Sequence, residues 1–384
     1  MELDSYALEG KETEEIVSVL ISHVSKSDEE VQRERDEKRR TTELKVFVVE
    51  NQGFELGALS EEIRQLAESS NATKHVSSFL KRHSFSEERL NDEVSYIEIH
   101  TPNFERTDQF IFLDNGQYLK ILTAVRREWT KKTIENLINY LPDLDRLFLS
   151  SDDLQEIIDD LPKTTISGFT AKYHSYHTDK RVTIQFHGGT EEDLETVREE
   201  FGARPTRLEF DQANSPSTAV HSSVDRQGYF KITRVREGSE SKGRETLERI
   251  FQDYEEHDRQ HFEIEFTPKK IPIKSGFTIE GFTTLQLLEE EEHEGSTESP
   301  TEKLKEEILE HKRRYEFSEW EPGNYLVFDK EHNEPFEIGV EKRDLVVYAK
   351  PATSSVTLRD FCNLILEDFN STYSFRKTSK RLRA

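Results

Sequence analysis

The sequence predicts an α+β fold in which repeated strand-strand-helix-strand units form antiparallel or mixed sheets covered by helices, followed by a linked C-terminal α+β module. Short β-rich runs alternate with segments of helical apolar periodicity. Turn signals join pairs of these runs. The 24 Phe and 12 Tyr supply a core, although only 33% of the residues are hydrophobic.

The composition divides the chain into successive segments. The predicted order is an N-terminal helical and charged arm (1–43), a first α+β unit (44–165), second and third α+β units (166–288), an acidic linker or loop (289–301) and a C-terminal α+β module with a basic tail (302–384). The arm is predicted as an appendage because its apolar stripe is short. The linker, EEEEHEGSTESPT, has no apolar residue to bury.

The first unit contains the clearest local signals. A strand rich in β-branched residues is predicted at 44–50, followed by two short helices. Asn115-Gly116 between two β-rich runs predicts a hairpin. A helix with apolar residues at 3.6-residue spacing then ends before Pro142, and a short strand at 146–149 completes the unit.

The same order of elements recurs at 168–210 and 218–267. In the second unit, Thr190 and Asp193 predict a capped helix start and Gly202 predicts the helix end. In the third unit, Asp225-Arg226-Gln227-Gly228 predicts a turn between two strands. The octapeptides DNGQYLKI and DRQGYFKI, which each contain a predicted turn and the start of the next strand, suggest duplication. Chance likeness over eight residues is the alternative.

The C-terminal module is a weaker instance of the pattern. Its predicted elements are a helix at 302–315, a hairpin of strands at 336–340 and 345–349, a helix at 355–369 and a short strand at 373–376. Antiparallel hairpins with one apolar face, each covered by an amphipathic helix, indicate a two-layer architecture.

The charge balance limits the classes of partner. With 78 acidic and 53 basic residues the net charge is −25, which disfavours nonspecific attraction of the whole chain to nucleic acid or anionic lipid. Such acidity fits a cytoplasm rich in salt, where self-repulsion is screened. An ordinary acidic protein is the alternative.

Cysteine usage and the lack of apolar runs predict a cytoplasmic protein with no membrane partner. Cys362 is the only cysteine, which excludes an intrachain disulfide and a zinc site built from several cysteines. Its apolar neighbours predict burial. The acidic N-terminus has no signal-peptide pattern, and no apolar run approaches about 18 residues.

Three histidines are the strongest metal candidates, and they are weak ones. His174, His177 and His187 lie in YHSYHTDKRVTIQFHGG. If residues 177–180 form a turn between two strands, His174 and His187 are roughly 13 Å apart at ~3.3 Å per residue. Solvated strand histidines are therefore the preferred interpretation.

Carboxylates that share a face are the next candidates. They are Asp153, Glu156 and Asp160 on one helix, and Glu263 and Glu265 near Lys269 on a predicted strand. Converging acids with a lysine are typical of metal-dependent hydrolases. In a chain with 78 acids such coincidences are expected, and a solvated acidic face is the prediction for both sets.

A basic C-terminal tail runs against the overall charge. It comprises Arg376, Lys377, Lys380, Arg381 and Arg383, with no acid among them. Such a tail can contact nucleic-acid phosphates or an acidic protein, and a solvated terminus is the alternative. Lys312, Arg313 and Arg314 form a second basic cluster, explained by the dipole of a predicted helix end.

Two classes of function follow. The leading prediction is an acidic interaction, scaffold or regulatory protein that binds another protein, with no catalytic residue and no cofactor assigned. The alternative is a protein that binds or processes nucleic acid through its basic tail, with a carboxylate metal site. The sequence lacks the nucleophile-elbow, phosphate-loop, dinucleotide and metalloprotease motifs, so an enzyme is disfavoured.

Overall fold

The structure is a computed structural model. It describes residues 8–34, 42–68, 74–141, 143–175, 180–214, 217–262, 284–288, 314–341, 344–350, 353–366 and 374–378. The acidic linker, residues 302–313 of the predicted helix and residues 263–267 of the last predicted strand of the third unit lie outside these ranges and stay predictions. Phe262, which is predicted to belong to that strand, instead ends a helix.

The described elements confirm a mixed α+β fold with large antiparallel sheets. In chain order they are α1 (Thr13–Glu34), β1 (Leu44–Asn51), α2 (Leu59–Glu68), α3 (Lys74–Arg82), β2 (Ser84–Arg89), β3 (Val94–Thr101), β4 (Arg106–Asp114), β5 (Tyr118–Thr123), α4 (Arg127–Thr130), α5 (Ile134–Tyr140), β6 (Leu144–Arg146), α6 (Ser151–Asp159), β7 (Thr164–Ser175), β8 (Lys180–His187), α7 (Glu191–Phe201), β9 (Arg204–Asn214), β10 (Ser217–Asp225), β11 (Tyr229–Val235), α8 (Glu240–Phe262), β12 (Thr284–Leu288), β13 (Tyr315–Glu321), β14 (Asn324–Asp329), β15 (Glu334–Glu341), β16 (Asp344–Ala349), α9 (Ser355–Leu364) and β17 (Ser374–Thr378).

The chain divides into two compact bodies. Body 1 comprises Met1–Leu149, Leu154–Gly168 and Arg207–Glu255, and body 2 comprises Ser150–Asp153, Phe169–Thr206 and Glu256–Ala384. Each body therefore contains segments that are distant in sequence.

The strands of body 1 pair in the order β2-β3-β4-β5-β1-β11-β10-β9, and β6 also pairs with β1. Strand β1 is central and its residues 44–50 are all buried, as its nearly continuous apolar run predicts. Helices α2, α3 and α5 cover one part of this sheet, with Leu59, Phe79 and Leu137 in the shared core.

Helix α1 is packed into body 1 against β11 and β1. The sequence sets this helix apart as an arm, whereas Ile16, Leu20, Ile21 and Val24 are all buried. Their spacing places them on one helical face. The apolar stripe thus continues past Leu20, and burying it stabilises the helix against the sheet.

The two predicted turns of body 1 form antiparallel hairpins. Gly116, with φ of 93°, lies between β4 and β5, and Gly228, with φ of 72°, lies between β10 and β11. Glycine adopts this left-handed region without a Cβ clash. The strands that follow the two turns, β5 and β11, both pair with β1.

In body 2 the strands β13 to β17 and β12 pair in the antiparallel order β13-β14-β15-β16-β12-β17. The hairpin predicted within residues 336–349 is present as β15 and β16, with Ile338 opposite Val347. The predicted helix at 302–315 is wrong at its end, because Tyr315 begins strand β13 and its ring packs against Phe336 and Phe361.

Helix α7 of body 2 begins and ends as predicted. Thr190 and Asp193 form a reciprocal capping box, and Gly202 ends the helix in the left-handed conformation with φ of 61°. The capping box at the start and the glycine at the end are both local signals, and both predictions are confirmed. Among the described helices of the chain, none is long and apolar enough to cross a membrane.

Candidate functional site

Basic and aromatic side chains gather around helix α4 in body 1. The helix and its flanks carry the sequence RREWTKK at residues 126–132. The short 3-10 helix Pro102–Phe104 and the start of β4 lie beside it. We call the following set the α4 surface: Phe104, Arg106, Arg126, Trp129, Lys131 and Lys132.

Threonine hydroxyls hold the single turn of α4 in place. Thr130 Oγ1 donates to the carbonyl of Arg127 over 3.0 Å, and Thr133 Oγ1 donates to the carbonyl of Trp129 over 2.8 Å. Both threonines are buried. Trp129 on this helix lies beside the turn that carries Phe104.

The aromatic rings of the α4 surface contact one another and two cations. The ring centroids of Phe104 and Trp129 are 5.0 Å apart at an interplanar angle of 73°. Arg106 Cζ lies 4.8 Å from the Trp129 centroid and Lys132 Nζ lies 4.6 Å from it. Trp129 is half-buried, whereas Phe104 is 61% exposed, so the phenylalanine is the more accessible ring.

A buried carboxylate positions Arg106. Its Nε donates to Asp108 Oδ1 over 2.5 Å. Burial raises the pKa of Asp108, while the Arg106 charge opposes that rise. Arg106 therefore has an anchor on the strand and a ring beside it, and its guanidinium is held at the edge of the surface.

A second group of charges, the basic cluster, adjoins α4 on the same body: Lys45, Arg127, Arg207 and Lys231. Lys45 and Lys231 are directly opposite each other on β1 and β11, so they share one face of the sheet. Glu43 lies between them, with its carboxylate oxygens 3.1 Å from Lys45 Nζ and 3.3 Å from Lys231 Nζ.

Burial and neighbouring charges shift the pKa values of these groups. Burial lowers the pKa of the Lys45 ammonium; Glu43 opposes this shift, and the positive charges of Lys231 and Arg127 add to it. Burial alone would raise the pKa of Glu43, but Lys231 and Lys45 outweigh it and the pKa is lowered. The carboxylate is thus held in its charged form.

The two arginines of the basic cluster lie near buried Tyr229. Arg127 Cζ is 4.2 Å from the Tyr229 centroid, a cation–π contact. Arg207 Nη2 donates to Ser223 Oγ over 2.9 Å and lies 3.2 Å from Glu209. Burial raises the pKa of Tyr229, whereas the positive charges of Arg127 and Arg207 oppose that rise.

The chemistry of this region is that of anion and ring binding. Guanidinium and ammonium groups attract anions, and the exposed face of an aromatic ring offers a stacking surface. Among the exposed side chains of the helix and its flanks, Arg126, Lys131 and Lys132 outnumber Glu105 and Glu128. The local balance is basic in a chain of net charge −25.

Asp153, predicted to lie on a solvated acidic face, is buried, and that prediction is wrong. Its side chain is in contact with two histidines of α8: His257 Nδ1 lies 3.2 Å from Oδ1, and His261 Nε2 lies 2.8 Å from Oδ2. The Ser150 backbone N–H donates to the same Oδ2 over 2.6 Å. Burial alone would raise the pKa of Asp153, but the histidine partners hold it well below its usual value.

Arg314 also differs from its prediction. Instead of ending a helix, it precedes β13 and donates to Asp329 Oδ2 over 3.0 Å and to Asp360 Oδ2. His332 Nε2 lies 3.1 Å from the same oxygen of Asp360. Arg314, Asp329, Asp360 and His332 form a network in body 2 that connects α9 to the strands.

Taken together, the histidine set, the basic tail and the set around Glu263 are described only in part. His187 is exposed on β8, while the side chains of His174 and His177 lie outside the described part of the chain. Arg376 and Lys377 belong to β17, which pairs with β12. The remaining tail residues, and the set of Glu263, Glu265 and Lys269, lie outside the described ranges. Cys362 is buried as predicted.

The α4 surface was not predicted from the sequence. One signal could have indicated it: RREWTKK contains four cations, one acid and one of the only two tryptophans of an acidic chain. Phe104, 25 positions before Trp129 in the numbering, carries no such signal.

Comparison with known proteins gives no functional information. No protein-family model matches the chain, and no curated protein sequence matches it.

Proposed function

We propose that this chain is a non-enzymatic interaction protein that holds an anionic partner on the α4 surface of body 1. One observation carries the proposal: exposed Phe104 lies against Trp129, and Arg106 and Lys132 are placed at the rings, in a chain of net charge −25. The basic cluster adjoins this surface, but Glu43, Glu209 and Glu135 pair with its cations, so the proposal depends on the exposed cations of the α4 surface itself. Repulsion from the rest of the chain would direct an anion to this region.

The local contacts hold two of the cations in place. Arg106 is fixed by Asp108, and Arg127 by Glu135 over 2.7 Å and by the ring of Tyr229. Cations that are held in this way lose little freedom when an anion arrives. The proposal includes two further expectations from the sequence. The first is a cytoplasmic location, with which a single buried cysteine is consistent. The second is internal duplication, which the shared pairing of β5 and β11 with β1 supports.

The experiment measures binding of two anionic polymers that contain no bases, polyphosphate and polyglutamate, by fluorescence anisotropy at low salt. The test variant is Arg126→Ala combined with Lys131→Ala, both exposed on the α4 surface. The control is Arg64→Ala combined with Arg249→Ala, two exposed arginines elsewhere in body 1.

We expect the wild-type chain to bind at least one polymer and the test variant to bind it several-fold more weakly, with affinity unchanged in the control. Binding should weaken as salt is added, because the contact is electrostatic. Equal losses in the test and control variants would contradict the proposal, as would a wild-type chain that binds neither polymer nor a nucleic acid.

A further inference from the structure

The exposed ring of Phe104 offers a ligand a contact other than charge. Phe104 ends the 3-10 helix Pro102–Phe104 between β3 and β4, and it is 61% exposed, the most exposed of the large hydrophobic residues that the structure describes. Its neighbour Trp129 lies within 5 Å of two cations. A stacking surface and a pair of cations are therefore presented side by side.

An acidic peptide would satisfy only half of this arrangement. Its carboxylates would pair with Arg106 and Lys132, but it carries nothing that must stack on the Phe104 ring. A single-stranded nucleic acid supplies both parts, since unpaired bases stack on aromatic side chains while the phosphates meet cations. In a duplex the base faces are already stacked on one another and are not available to a side chain.

We propose that the α4 surface binds single-stranded nucleic acid, with bases stacked on Phe104 and beside Trp129 and with phosphates at Arg106 and Lys132. This inference rests on the proposed function and names the chemical class of its anionic partner. Binding depends little on sequence, because every base has a π-face. The site differs from the basic C-terminal tail, which was the contact that the sequence predicted.

The two tryptophans of the chain provide a direct readout. In the Trp320→Phe variant, Trp129 is the only tryptophan left, and Trp320 is itself an exposed residue of body 2. This variant is titrated with oligothymidylate, oligouridylate, a DNA duplex of the same length and polyphosphate. Anisotropy of labelled oligothymidylate with the wild-type chain gives the affinity independently of the substitution.

We expect both single-stranded oligomers to quench Trp129 fluorescence, and duplex and polyphosphate to leave it nearly unchanged. Phe104→Ala should raise the Kd for oligothymidylate about tenfold, the usual effect of losing one stacked base. Phe201→Ala is the matched control, since Phe201 is an exposed phenylalanine on acidic helix α7, and it should leave the Kd unchanged. Lys132→Ala should reduce the slope of log affinity against log salt by about 0.7.

Two outcomes would overturn the inference in distinguishable ways. If polyphosphate or polyglutamate binds as tightly as the oligomers and Phe104→Ala has no effect on the oligomers, the ligand is another anion and the proposed function stands without a nucleic acid. If no polymer and no oligomer binds, both the inference and the proposed function fail.

Discussion

Arg359 and Asp258 form a buried, bidentate ion pair in body 2. Arg359 Nε donates to Asp258 Oδ1 and Nη2 donates to Oδ2, each over 3.0 Å. The arginine is on α9 and the aspartate is in the last turns of α8, 101 residues away in sequence. Two hydrogen bonds between planar groups fix the orientation of the guanidinium relative to the carboxylate.

Removing one partner of this pair should destabilise the protein strongly. Asp258→Ala leaves a buried guanidinium without its counter-ion, and we expect a loss of about 3–5 kcal/mol in the free energy of unfolding. Urea denaturation measures the loss. The combined change Asp258→Leu and Arg359→Met removes both charges and should recover most of it. A loss below about 1 kcal/mol for Asp258→Ala would contradict the prediction.

The two hairpin glycines of body 1 should differ in their tolerance of alanine. Both have positive φ, so each Gly→Ala change costs about 1–2 kcal/mol of backbone strain. A Cβ on Gly228 would also lie 2.4 Å from the Val48 carbonyl oxygen, whereas a Cβ on Gly116 meets nothing within 4 Å. Overpacking adds about 1–3 kcal/mol. The midpoint of urea denaturation should therefore lie at a lower urea concentration for Gly228→Ala than for Gly116→Ala. Equal midpoints would refute this prediction.

His332 should make the stability of body 2 depend on pH. Its hydrogen bond with Asp360 raises its pKa, although burial opposes the rise. A raised pKa means that the stabilisation is complete below about pH 6.5 and is lost as the pH rises through the value in the folded state. His332→Gln should lower the free energy of unfolding at pH 6 and have little effect at pH 9.

The matched control for His332 is His187→Gln, a change of an exposed histidine on β8. In this variant the difference in the free energy of unfolding between pH 6 and pH 9 should be the same as in the wild type. A His332→Gln variant that is equally destabilised at both pH values would show that the histidine acts through packing alone.

Salt should stabilise the chain through its acidic helices. On α7, Glu191, Glu195 and Glu199 are exposed and follow one another at four-residue spacing, where like charges repel. The Debye length falls from ~30 Å at 0.01 M to ~3 Å at 1 M salt, so the melting temperature should rise over this range of KCl. Glu195→Lys replaces the repulsion of residue 195 from Glu191 and Glu199 by attraction, so the melting temperature should rise less with KCl. The rise in Glu195→Gln should lie between those of the wild type and Glu195→Lys.

A melting temperature that stays flat or falls with added KCl would remove the hypothesis of a salt-rich cytoplasm. It would leave the fold and the α4 surface unaffected, because neither depends on screening.

Local patterns were enough to predict many of the elements. The capped start of α7 at Thr190, its glycine end at Gly202 and the hairpin at Asn115-Gly116 all depend on residues within a few positions of one another. Strand β1 follows from its own run of β-branched residues. Such signals act within one turn or one hairpin, so they can be recognised in the sequence without knowledge of the fold.

Pairings between distant segments were decided by the tertiary structure. A helical wheel places Asp153 on a polar face but cannot show that His257 and His261 contact its carboxylate. The same holds for Arg314, which meets Asp329 and Asp360 only because β13 pairs with β14 and α9 packs nearby.

The candidate site shows the same division. The composition of RREWTKK is visible in the sequence, and so is the overall acidity that makes it unusual. The contact of Trp129 with Phe104 and Arg106 joins α4 to the turn between the paired strands β3 and β4, which are distant from it in sequence. The sequence by itself determined the local elements and the charge of the chain, because a local element depends on residues close together in sequence and the net charge is a sum over all residues. Only the folded chain decided which rings and charges meet, because buried polar and aromatic groups find their partners through long-range packing.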